Sequence, residues 1–301
     1  MMPAPAAAII ADYRASLGEG PLWDHRRQRL IWCDILSDCL LIAEPDQTDA
    51  SRIDFAGGIT SIGLAEGDRF VATSLRRFML LDSEFNVLAT SAEIEPHLPD
   101  NRFNDGKVDP LGRFWAGTME KECKGTLGAF YLLDGTGLKR LDEGYGCTNG
   151  PAFSPDGRWL CFTDSNEHAI YRAALSQNQS LERGGPFITF TQSEGAPDGM
   201  TFDNKGRLYV AHFGGGQVSR YDSEGQCDAR FPLPASNITS VAFANGDLSQ
   251  LVATSAHCTF TPEQLEDSPE QGATFAFDCG ATGLPEPEFL IPEGFFDDVR
   301  V

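Results

Sequence analysis

The sequence predicts an all-β protein, a single six-bladed β-propeller spanning residues 1–301, and three observations carry that expectation; the further expectation of a central metal-binding channel rests on the axial residues and motifs. A polar residue followed by a short apolar stretch and a turn recurs along the chain, the recurrence has the period of a propeller blade, and helical periodicity is scarce throughout. Three copies are most alike: Asn-Asp-Gly-Lys-Val-Asp-Pro-Leu-Gly-Arg (104–113), Asn-Gly-Pro-Ala-Phe-Ser-Pro-Asp-Gly-Arg (149–158) and Asp-Gly-Met-Thr-Phe-Asp-Asn-Lys-Gly-Arg (198–207). Gly-Glu-Gly-Pro-Leu-Trp-Asp (18–24) is a fourth, and weaker copies begin at Ser61 and Ser240. With Glu19, Ser61, Asn104, Asn149, Asp198 and Ser240 as equivalent positions, successive copies are spaced by 42 to 49 residues.

Each copy brings its own strands. An apolar stretch follows every turn, at 29–35, 69–74, 113–118, 158–164, 207–212 and 250–255. Alternating stretches come next, for example 129–133, 169–173, 217–222 and 273–278. The segment 8–13 is strand-like and is expected to complete the last blade, since a propeller must hide its open sheet edges. Residues 260–271, rich in Pro, Glu and Asp, form an insertion in the final blade, and the Pro-rich stretch after Gly283 reads as a capping extension.

Bulk properties mainly exclude. A formal net charge of −21 would repel nucleic acid and anionic lipid. No apolar run is long enough to cross a bilayer, and the N-terminus lacks the basic residue of a signal peptide, so a cytoplasmic location is the default. Eight dispersed cysteines with no C-x-x-C pair are expected as reduced thiols, several of them buried. Asn178-Gln179-Ser180 and Asn237-Ile238-Thr239 are glycosylation sequons by spelling only, and Gly214-Gly215-Gly216 reads as a hairpin turn. His212 either lines the channel mouth or is a structural histidine.

In a propeller the residue just before the innermost strand of each blade faces the axis. Six polar residues at that register form a ring of carboxylate, amide and hydroxyl oxygens, which is the donor set of a hard cation. An isolated Asn-Gly or Asp-Gly is ordinarily a turn, so the pattern alone leaves both readings open.

The motifs Leu-Gly-Glu-Gly-Pro-Leu-Trp (17–23), Arg-Phe-Asn-Asp-Gly-Lys-Val-Asp-Pro-Leu-Gly-Arg-Phe-Trp-Ala-Gly-Thr-Met (102–119), Thr-Asn-Gly-Pro-Ala-Phe-Ser-Pro-Asp-Gly (148–157) and Pro-Asp-Gly-Met-Thr-Phe-Asp (197–203) resemble, in order, those of the regucalcin / gluconolactonase / luciferin-regenerating family. The resemblance covers roughly residues 15 to 280 and implies a metal-dependent lactonase on a six-bladed propeller. Position by position, it implies that Glu19, Asn149 and Asp198 ligate one divalent metal ion, with Asp198 also the general base. It further implies that Arg102 and Asn104 hold substrate oxygens, with Glu122, or the neighbouring Glu120, as a further substrate contact. An oxygen-only site accepts calcium, magnesium, manganese, zinc or ferrous iron. The expected partner is a small sugar lactone, hydrolysed to its aldonic acid, with oligomeric state left open. Two rivals stand beside this: a propeller hydrolase of phosphotriesters or aryl esters, and a calcium-binding regulatory or scaffold propeller.

Overall fold

The computed structural model describes residues 7–44, 47, 49–175 and 181–294; the sequon at Asn178 and the extreme termini lie outside them. The described residues form six antiparallel four-stranded sheets. Their innermost strands are Gly18–Asp24, Ser61–Ala65, Asn101–Val108, Thr148–Phe153, Ala196–Phe202 and Ile238–Ala244, which open blades one to six in chain order. The expected second strands are present as Arg29–Asp34, Arg69–Thr73, Phe114–Glu120, Trp159–Asp164, Leu208–Phe213 and Gln250–Ser255. The ring closes as anticipated. Ala8–Ile9 is the outer strand of blade six and pairs with Phe275–Asp278 through Ala8↔Ala276 and Ile9↔Phe275.

Side chains alternate across each strand, so every sheet presents apolar residues to both of its neighbours. The result is six apolar clusters, one in each gap between adjacent blades. Phe78, Phe103 and Phe114 fill the gap between blades two and three, while Trp23, Trp32, Val252 and Ala276 fill the gap between blades six and one. Each fully buried aromatic ring stabilises the stack by about 2–3 kcal/mol.

The recurring Gly-Arg pair has a structural purpose. Asp109 and Asp203, each five residues after its blade's axial residue, are fully buried at the turn into the second strand. Asp109 accepts the backbone N–H groups of Leu111 and Arg113, and Arg113 Nε at 2.6 Å. Asp203 accepts Lys205 and Arg207 N–H groups and Arg207 Nε at 2.6 Å. The carboxylate closes the turn, and the arginine neutralises it.

The insertion holds one short helix, Pro262–Asp267, capped by Thr261 and Gln264. The extension after Gly283 does cap the ring. Phe289 is fully buried between blades two and three, with its backbone bonded to Leu64 and Glu66, and Lys107 of the channel wall pairs with Glu286 at 3.6 Å. No described helix is long and apolar enough to cross a membrane.

Candidate active site at the channel axis

The four acid or amide positions lie inside the innermost strands rather than just before them, and each coincides with a bulge. In blade one Glu19 pairs with Cys33 but Leu22 with Ile31, so one extra residue is inserted. The same three-against-two step occurs between Phe103 and Gly106, Asn149 and Ala152, and Pro197 and Met200. A bulge bends its strand and re-aims the neighbouring side chains, here toward the axis. Blade two has no bulge: Ser61 pairs in register with Thr73 and donates or accepts a bond with its hydroxyl at 2.6 Å. The extra position is Gly20, Gly150 and Gly199 in blades one, four and five, and Asp105 in blade three. Gly20 and Gly150 take positive φ (53° and 65°), each followed by a proline, a combination that glycine adopts without strain.

Four side chains, Arg102, Asn104 and Asn149 buried and Ser165 half-buried, are joined across three blades by hydrogen bonds running in one direction. Arg102 Nη1 donates to Asn104 Oδ1 at 2.7 Å, and Asn104 Nδ2 donates to Asn149 Oδ1 at 2.8 Å. Asn149 Nδ2 donates to Ser165 Oγ at 2.9 Å, and Ser165 Oγ donates to the carbonyl of Pro197 at 2.7 Å, beside Asp198. Both ends of the Asn104 amide are engaged within the protein, so it orients Asn149 as well as flanking the channel. Beneath the relay, matching acids hold the approach to two of the strands. Asp34 accepts the N–H groups of Ser16 and Leu17 ahead of Glu19, and Asp164 those of Gly146 and Cys147 ahead of Asn149.

The electrostatics are those of a site short of positive charge. Glu19 is 4% exposed, and burial first, then Asp105, pushes its carboxyl up to about 8. Asp198 is 5% exposed, and burial, then Glu19 and Asp105, hold its carboxyl well above the usual carboxylate range against the opposing pull of the Gly199 N–H. Burial raises Asp105 to about 7 against the opposing pull of Lys107 and the N–H groups of Gly106 and Gly150. Arg102 is pulled down by its own burial. Asp198 Oδ1 is buried with no hydrogen-bond partner. An orphaned carboxylate oxygen among mutually repelling acids is what a cation would satisfy, and the residues present therefore fit a divalent ion. Among the described residues no three His, Cys, Asp or Glu side chains gather as a metal-holding group; the fitting set is two carboxylates and an amide.

Glu19, Arg102, Asn104, Asn149 and Asp198 are thus all buried on innermost strands; hydrogen bonds join Arg102, Asn104 and Asn149, and Glu19 is coupled by charge to Arg102 and Asp198. Glu122 stands apart from this relay, exposed in its loop and paired with Lys124 at 2.6 Å. Glu120 instead staples that loop by accepting the Gly125 N–H. His212 is fully buried, packed against the Phe190 ring at a 52° tilt and bonded through Nδ1 to the Glu194 carbonyl, the structural alternative of the two expected. Sequence reasoning missed Asp105 and Ser165. The signal for Asp105 was present: an acid occupies a register that is glycine in three sister copies. Ser165 lies outside the repeat and left none.

Three similarities bear on this geometry. A 6-deoxy-6-sulfogluconolactonase of Pseudomonas putida is 34% identical over 91% of this chain and 94% of its own length. A pentonolactonase of Haloferax volcanii is 32% identical over 97% of this chain and 98% of its own. The crystal structure of regucalcin from Agrobacterium tumefaciens, described as a calcium-binding protein, superposes with a TM-score of 0.90 at 28% identity, covering 95% of this chain and 98% of that one. Residues 17–257 match the SMP-30/Gluconolactonase/LRE-like region, and the chain belongs to that family.

Proposed function

We propose that this protein hydrolyses a sugar lactone to the corresponding aldonic acid, using one divalent cation held by Glu19, Asn149 and Asp198. The observation that supports the reading is Asp198, whose buried Oδ1 has no hydrogen-bond partner and whose carboxylate is repelled by Glu19. A cation bound there would polarise the lactone carbonyl and acidify water beside it.

The chain's own residues then divide the remaining work. Asp198 accepts the proton of the attacking water as its oxygen bonds to the carbonyl carbon. Arg102, fixed by Phe103 O and Asn104 Oδ1, presents a permanent positive charge to the oxyanion that forms. Collapse of that tetrahedral species breaks the bond to the ring oxygen, which takes up the proton and leaves as a hydroxyl. The Asn104–Asn149–Ser165 relay prevents the amide ligand from turning away, so little reorganisation is needed during reaction.

A pH-stat assay over a panel of aldonolactones, phosphotriesters and aryl esters, with and without chelator, tests the reading. Acid release from lactones alone, abolished by chelator and restored by a divalent salt, is expected. Faster turnover of an aryl ester, or lactone hydrolysis indifferent to chelation, would overturn it.

A further inference from the structure

Asp198 stands in the bulge between Pro197 and Met200, so no rung of the strand ladder holds it in register. Its placement depends on the residues that lead into it, and three of their carbonyls are met by side-chain donors. His212 Nδ1 lies 2.7 Å from the Glu194 carbonyl, His168 Nδ1 3.1 Å from the Gly195 carbonyl, and Ser165 Oγ 2.7 Å from the Pro197 carbonyl. A carbonyl only accepts, so in both histidines Nδ1 carries the proton of the bond. Gln217 Nε2 also approaches His212 Nδ1, at the longer distance of 3.4 Å.

Ser165 and the half-buried His168 come from one turn of blade four. Ser165–Glu167 forms a single 3-10 turn between strands Trp159–Asp164 and Ala169–Ala174, closed by the His168 N–H on the Ser165 carbonyl, with His168 at φ 53°. Blade one repeats the turn over Ile35–Ser37, with Asp38 at φ 51° in the place of His168. The turn therefore needs a residue that tolerates the left-handed region, as Asn, Asp and His do, and does not need an imidazole. What the imidazole adds in blade four is a bond to blade five. The receiving segment has little room to move. A β-carbon at Gly195 would come within 2.4 Å of the Phe213 carbonyl, and the Glu194 carboxylate is paired with Arg230 at 2.6 Å.

We propose that His168 is a positioning residue for Asp198, holding it through the Gly195 carbonyl while Ser165 acts through Pro197 and His212 through Glu194. The inference rests on the reading of Asp198 as cation ligand and base. Without the imidazole the Gly195 carbonyl loses its side-chain donor and the segment into Asp198 is free to shift, which misplaces the carboxylate against both the cation and the attacking water. Arg102 and Asn104 are held by bonds within blade three and to blade four, so the binding of substrate is spared.

The test compares His168→Gly with His168→Asn. Glycine adopts φ 53° freely and removes the donor, whereas asparagine tolerates the same backbone and returns an amide N–H. Calorimetric titration with a divalent salt and lactone kinetics are measured on each, and urea midpoints identify any variant that has lost its fold. In His168→Gly, cation affinity and kcat should each fall by about 10-fold with KM held within about two-fold, and His168→Asn should recover most of both losses. A folded His168→Gly with unaltered affinity and kcat, or a His168→Asn as impaired as His168→Gly, would return His168 to a purely structural role. The wild-type protein keeps the two levels apart. If it binds the cation but turns over no lactone, the hydrolytic reading fails while the affinity comparison still decides for or against His168. If it binds no divalent cation, the axial site and this inference fall together.

Discussion

Asn104 donates its amide N–H to Asn149 Oδ1 at 2.8 Å across the boundary between blades three and four. That bond occupies one lone pair of the oxygen and leaves the other for a cation. Asn104→Ala should therefore lower kcat/KM by about 10- to 100-fold and weaken divalent-cation affinity in parallel. Kinetics alongside calorimetric titration of the cation check this; a kinetic loss with unaltered affinity would place Asn104 on the substrate alone.

Removing Asp198 should separate function from stability. Asp198→Asn is expected to cost about 10²- to 10⁴-fold in kcat. Its metal-free melting temperature should hold or rise, because Asp198, Glu19 and Asp105 repel one another in the bare channel. A clear fall in the metal-free melting temperature would contradict this account of the electrostatics.

The same repulsion should make the fold responsive to cations. A divalent ion at 100 times its dissociation constant should stabilise the protein by about 2.7 kcal/mol through mass action. Thermal melts over a series of calcium, magnesium, manganese and zinc concentrations measure it, and Glu19→Gln should flatten the response.

Far from the axis, Asp203→Ala removes a buried carboxylate that closes a turn and neutralises Arg207. A loss of about 3 kcal/mol is expected by urea denaturation, with lactone kinetics unchanged in the folded fraction. A destabilisation under 1 kcal/mol would show the clasp to be dispensable.

His212 gives a pH dependence of definite sign. Burial lowers its pKa to about 4, so the folded state resists a proton that the unfolded chain binds near 6.5. The unfolded state binds more protons in that window, and stability falls as pH drops from about 6.5 to 4, by about 3 kcal/mol in all. His212→Leu should remove that part of the acid limb, as read from urea midpoints at pH 7 and pH 4.5.

The repeat was legible because a blade is a local object: a polar residue, an apolar stretch and a turn lie within one short stretch of chain, so period and register show directly. The six equivalent positions from Glu19 to Ser240 followed from that register, the choice of Glu19, Asn149 and Asp198 among them from the family resemblance, and ring closure by Ala8–Ile9 from the need to hide an edge. The bulges were not legible, since an inserted residue is defined by its partner strand. Asp105 was overlooked although the register itself shows an acid where three sister copies carry glycine. Ser165 joins Asn149 to Pro197 through a contact between blades, which no repeat unit encodes.

The inserted residue in each bulge has a consequence for how this channel can diversify. Gly20 and Gly150 are locked to glycine by positive φ, and a β-carbon at Gly199 would come within 2.2 Å of Ser240 Oγ. Among the bulges of blades one, three, four and five, Asp105 alone carries a side chain at that level. Four blades thus offer one addressable position at which drift or engineering can reset the charge of the channel while the strand ladders stay intact.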